Sequence, residues 1–216
     1  MPEAVIVEAV RTPSGKRRGS LMGYHPTELG AAVLNEVLRR AGIEPSMVDD
    51  VVMGCVLPAG DQGLNIARNS TLQAGFPVEV PATTVDRQCG SGQQAIHFAA
   101  NLIETGVCDI VIAGGVESMN RVPMGSTRHI DGQGYPFPEE LLARYPITNM
   151  GRSAEMIAEK WALERAELDA FSLRSHELAD RATREGRFGR EILPMEVMAD
   201  DVSQMLAVDE TILSLI

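Results

Sequence analysis

The residue best placed for covalent chemistry is Cys89, within the run Asp86-Arg87-Gln88-Cys89-Gly90-Ser91-Gly92. An extended stretch, residues 81–86 (PATTVD), precedes it. A helical period at Ala95, Ile96, Ala99, Leu102 and Ile103 follows it. The thiol therefore stands where a strand gives way to a helix. A helix start offers unpaired N–H groups and a partial positive charge. Both favour a thiolate, and cysteines in such places ionise below the free value of about 8.5. The same N–H groups suit the oxyanion of a tetrahedral intermediate. Gly90 and Gly92 allow a tight turn and a close backbone approach to a ligand. These parts fit nucleophilic acyl transfer. The spacing leaves a second reading open, a buried inert thiol.

The other candidates are weaker. Cys55 falls within an apolar strand pattern and Cys108 just before one, so both read as core residues. His97 is eight residues past Cys89, roughly 12 Å along a helix axis. That is too far for a direct base, and packing or a satisfied hydrogen bond is its expected role. His25, His129 and His176 show no tie to Cys89. The four histidines and three cysteines make no metal-ligand spacing and no CxxC pair, so a metal site and a disulfide framework are not expected.

The elements that must position Cys89 alternate. Residues 4–10 (AVIVEAV) and 50–56 (DVVMGCV) read as strands. A helix capped by Thr27 runs to Gly42, and another spans 65–74. After the Cys89 helix, residues 109–113 (DIVIA) form a buried-strand pattern closed by Gly114 and Gly115. The expected fold class is α/β, a mixed, largely parallel sheet with helices on its faces. Residues 120–150 show no period and are rich in Gly, Pro and Met. Two amphipathic helices follow, 153–161 with Ser153 as its cap, and 166–185. The expected division is an α/β core over 1–119 and a mostly helical loop subdomain over 120–216.

Composition narrows the function. The chain has 216 residues, 44% of them hydrophobic, and a formal net charge of −11. An acidic surface disfavours nucleic acid and anionic membrane as partners. The basic run Lys16-Arg17-Arg18 reads as a solvated loop. No stretch approaches the roughly 20 apolar residues of a membrane span, and the N-terminus does not read as a signal peptide. A cytoplasmic location is expected.

Four segments, in this order, resemble thiolases, the acyl-CoA acetyltransferases. They are VEAVRTPSGKRRGSL, TTVDRQCGSGQQAI, AGGVESMNRVP and NMGRSAEMIAEKWALERAELDAFSLRSH. The resemblance runs from about residue 4 to about residue 210 and covers the N-terminal part of the family only. It implies that Cys89 attacks an acyl-CoA thioester and carries the acyl group. A 3-ketoacyl-CoA is cleaved in the degradative direction, and a Claisen condensation with acetyl-CoA runs in the synthetic one. It also implies that the Cys89 N–H joins an oxyanion hole and that Met150 lines the acyl pocket. CoA and acyl-CoA enter as substrates, no metal or redox cofactor is implied, and a homodimer or homotetramer is expected.

The departures are as specific. The family's Asn-Glu-Ala-Phe segment, Gly-His-Pro histidine and Cys-x-Gly-Gly cysteine have no counterpart in these residues. Asn149 stands where some members have a histidine, and the final Thr-Ile-Leu-Ser-Leu-Ile does not align. The expectation is a thiolase N-terminal part that is inactive by itself. The alternatives are a ketoacyl-synthase-type condensing enzyme fragment and a non-catalytic dimerisation or CoA-binding module.

Overall fold

The computed structural model describes residues 2–128, 132, 134–199 and 202–212. His129 and residues 213–216 lie outside them. The chain separates into two compact units, Met1–Thr127 with Gly189–Thr211, and Arg128–Phe188 with Ile212–Ile216. The expected division at 119/120 differs on two counts. The first unit extends to Thr127, and the chain returns to it for Gly189–Thr211.

The first unit is built on three strands, β1 (Asp50–Gly54), β2 (Ala82–Val85) and β3 (Val111–Gly115). They lie in the order β2-β1-β3, and both pairings are parallel. The registers set Val51 against Ala82 and Ile112. Three helices accompany them: α1 (Pro26–Ala41), α2 (Ile66–Gln73) and α3 (Ser91–Glu104). The central strand is buried on both faces, which is why DVVMG reads as an unbroken apolar run. Val51 and Met53 join the cluster of Leu34, Ile66 and Ala67 from α1 and α2. Val52 and Gly54 point the other way, toward α3. Full burial of each large aliphatic side chain contributes about 1.5–3 kcal/mol.

Local chemistry explains the helix limits. His25, not Thr27, caps α1: its ring accepts from Thr27 N, and Glu28 accepts from His25 N at 2.7 Å. Pro26 takes the first helical position, where a missing N–H costs nothing. Gly42 ends α1 in the left-handed conformation, φ 67°. Asn65 caps α2 through Arg68 N.

Residues 4–10 do not form the expected strand. Val5, Ile6 and Val7 are 69%, 81% and 70% exposed, and no strand pairs with them among the described residues. Apolar content marks a strand's appetite for burial, but a ladder needs a neighbouring backbone. Only Arg11, just beyond, makes an isolated bridge, with Ile192. Conversely, the sequence reading contains no strand past residue 185, yet β4 (Met195–Ala199) and β5 (Val202–Leu206) form an antiparallel pair. Met195 and Val197 are buried in the first unit's core.

The second unit contains α4 (Glu139–Arg144), α5 (Met150–Trp161) and α6 (Arg165–Arg184). α4 lies inside the stretch where no period is visible. Asn149, rather than Ser153, caps α5 by accepting from Arg152 N at 2.9 Å. Ser153 donates back to the Asn149 carbonyl. None of the three helices buries a residue fully.

Candidate active site

Cys89 precedes Gly90, the N-cap of α3, and its side chain is exposed. Gly90 has no side chain to cap with, so α3 begins uncapped. The turn that delivers the thiol is made by Gln88, whose φ of 47° is left-handed. A non-glycine residue there is strained by about 1–2 kcal/mol. Neighbouring side chains hold it. Asp86 accepts from Gln88 N at 2.8 Å and from the Gln88 side-chain amide. Ser91 Oγ accepts from Arg87 N at 2.9 Å and donates to Gln88 O at 2.6 Å. The expectation that Gly90 and Gly92 make the turn is therefore corrected. Neither has a positive φ, and a Cβ on Gly92 would meet nothing within 4 Å.

The glycine packed most tightly in the site is Gly54. A Cβ there would lie 2.5 Å from Gly92 N. Its absence lets the first turn of α3 settle on the end of β1. A depression of about 300 Å³ results at the carboxyl ends of the strands. Gly54, Cys55 and Val56 form one wall, Gly115, Val116 and Glu117 another, and Gln88 to Gly92 the third. A depression of about 320 Å³ at the opposite end of the sheet, between Asp50 and Thr105, has no thiol.

The three thiols differ: Cys55 is in the core as expected, whereas Cys108 is only half-buried and is not a core residue. Cys55 is buried, and burial, reinforced by Glu117, pushes its thiol up to about 11. Burial, with Asp49, Asp50 and Asp109 nearby, also raises Cys108. Cys89 alone is exposed. His97 sits on the exposed face of α3. Ile96 is exposed too, while Ala95 and Ala99 pack inward, so the α3 face that meets the sheet is narrower than the sequence period suggests. Met150 is the first residue of α5, 63% exposed, in the second unit.

Glu117 is the functional candidate that sequence reasoning missed. Its carboxylate accepts from Val56 N and from Gln62 Nε2, both at 2.7 Å, on the wall of the Cys89 depression. The only sequence signal is a carboxylate two residues past the Gly114-Gly115 strand end.

Comparison with known proteins shows the family. The family model described as Thiolase, N-terminal domain matches residues 4–215. The chain belongs to the thiolase family, and the ketoacyl-synthase alternative is set aside. It is 47% identical over 203 residues to a steroid 3-ketoacyl-CoA thiolase of Mycobacterium tuberculosis, covering 91% of this chain and 50% of that protein. A 3-ketoacyl-CoA thiolase of Bacillus subtilis is 44% identical over 205 residues, 94% of this chain and 51% of that one. The crystal structure of the Bacillus anthracis acetyl-CoA acetyltransferase superposes with a TM-score of 0.84 at 38% identity, covering 99% of this chain and 56% of that one. The chain spans about half the length of the curated relatives it matches.

Proposed function

We propose that this chain is the acyl-carrying part of a thiolase. The Cys89 thiolate attacks the carbonyl of an acyl-CoA thioester, and a new C–S bond forms. The tetrahedral oxyanion is held by N–H groups at the start of α3, and the bond to the CoA sulfur then breaks. CoA leaves as a thiolate and takes up a proton. Thioester exchange involves no net oxidation, so the reading calls for no cofactor beyond CoA and acyl-CoA as substrates. In cleavage of a 3-ketoacyl-CoA the leaving group is the acetyl-CoA enolate, which must be protonated. In condensation the same α-proton must be removed.

The observation that carries the reading is an exposed thiol, on a left-handed turn, before an uncapped helix, in a depression at the strand ends. A substrate-binding role for Met150 rests on the family resemblance alone. The acidic charge of −11 supports a protein that works on soluble thioesters rather than on nucleic acid or a membrane surface. Among the described residues no helix is long and apolar enough to cross a membrane. A cytoplasmic homodimer or homotetramer completes the proposal.

The test is incubation with acetyl-CoA followed by intact mass and peptide mapping. One acetyl group on Cys89, absent in Cys89→Ala, supports the reading. No adduct, with Cys89 still open to alkylation, favours a non-catalytic module.

A further inference from the structure

We propose that Glu117 is a positioning residue for the acyl site, clamping the loops after β1 and β3 around the Cys89 depression. The parallel ladder between those strands ends with Val116 N on Gly54 O at 3.1 Å. Two residues beyond Gly54, past the end of β1, the partner changes from backbone to side chain, because Val56 N donates to Glu117 Oε2 at 2.7 Å. The other oxygen, Oε1, accepts from Gln62 Nε2 at 2.7 Å.

Gln62 is fully buried and its amide is fully used. Its Oε1 accepts from Ser118 N at 2.6 Å, and its Nε2 also donates to Leu57 O at 2.9 Å. The amide cannot flip without facing a donor with a donor at Ser118 and an acceptor with an acceptor at Leu57. Its Nε2 must therefore point a hydrogen at residue 117. The groups that meet residue 117 are all donors: Val56 N–H, Gln62 N–H and, at 3.9 Å, the Cys55 thiol. Only a carboxylate offers two acceptors there. A glutamine at 117 would turn one acceptor into a donor and leave a donor without its hydrogen bond.

The clamp joins what the strand ladder no longer holds. Val56 and Glu117 wall the depression, and Ser118 and Leu57 anchor the loops behind them. An acyl group on Cys89 would meet those walls. A small alkylating reagent needs only the exposed sulfur. The inference rests on the acyl-carrier reading, and it separates two reactions of one thiol.

The experiment uses the whole chain and Glu117→Gln. Acetylation of Cys89 by acetyl-CoA is expected to fall about 10- to 100-fold, the cost of a misplaced reacting group. Alkylation of Cys89 by iodoacetamide should stay near the unsubstituted rate. Amide hydrogen exchange in the unsubstituted chain needs no variant. Val56 and Ser118 N–H should be protected on the scale of the β1 amides. Rapid exchange at both overturns the clamp. Equal acetylation rates overturn the positioning role, as does a parallel fall in acetylation and alkylation, the mark of a merely structural change. If the unsubstituted chain takes no acetyl group, the acyl-carrier reading fails instead, and the exchange data still decide whether the clamp exists.

Discussion

The amide nitrogen of Gly92 stands 2.5 Å from where a Cβ on Gly54 would lie. That separation is backbone against backbone, so no rotamer change relieves it. Gly54→Ala must push the first turn of α3 off β1. The expected cost is about 1–3 kcal/mol, read as a lower melting temperature. Cys89 alkylation should change as well, because its turn moves with α3. A variant with the melting temperature and alkylation rate of the parent would show that α3 has slack at this contact.

Thiol reactivity should follow exposure and charge. Cys55 is held near 11, so at pH 8 only about a thousandth of it is thiolate. Cys108 is raised in the same direction. Iodoacetamide at neutral pH should therefore modify Cys89 first, as peptide mapping over time would reveal. Faster labelling of either other cysteine would remove the main support for Cys89 as nucleophile.

Ser91 is 3% exposed and joins Arg87 N to Gln88 O. Ser91→Ala strands the Arg87 amide and frees the strained Gln88 turn. Loss of about 1–3 kcal/mol is expected. Ser91→Thr, which keeps the hydroxyl, should recover part of it. Equal chemical denaturation midpoints for Ala and Thr would mean that the hydroxyl holds nothing.

The fold was legible where burial and local signals agree. The run DVVMG, the α1 period and Gly42 each name their element directly. Residues 4–10 were misread because a strand is a relation between two backbones, and sequence shows only one. The pair β4 and β5 was missed although Met195 and Val197 alternate with Glu196 and Met198, a period too short to stand out alone. Cys89 was legible because its type and its place before a helix coincide. Its real support, Gly54 and Glu117, comes from chain neighbours more than 25 residues away. No local pattern connects them.

Glu36 links stability to pH. Arg39 and then Arg40 hydrogen-bond its carboxylate and hold it at about 2, below its usual value of 4.5. A depressed carboxylate stabilises the fold above the unfolded value, and that contribution is lost as pH falls from about 4.5 toward 2. The pairs lie along α1 at i,i+3 and i,i+4, so screening limits the effect to about 1 kcal/mol. Glu36→Gln should melt earlier than the parent at pH 7, and the gap should close near pH 2. A gap that persists at pH 2 would point to packing rather than charge.

Residues 1–216 by themselves should not condense acetyl-CoA and should not stay monomeric. Condensation needs a group to remove the α-proton, and a general base or acid is typically worth about 10²–10⁴ in rate. Among the described residues Cys89 shares its depression with Cys55 and Glu117. The Cys55 thiol is held protonated near neutral pH by its value of about 11, and both Glu117 oxygens are already engaged by Val56 and Gln62. Neither is free to take that proton. Acylation of Cys89 asks less, because it requires no transfer of an α-proton. Association follows from uncovered apolar surface. Ile6 is 81% exposed in the first unit, and Phe171 is 77% exposed in the second. α4, α5 and α6 bury nothing fully, and apolar area of this kind drives contacts between chains. Purified chain should therefore scatter light as an oligomer and yield no acetoacetyl-CoA, while still gaining an acetyl group on Cys89. Turnover like that of an intact thiolase would mean that a base acts from among these residues. A stable monomer would mean that the exposed side chains fold onto one another in solution.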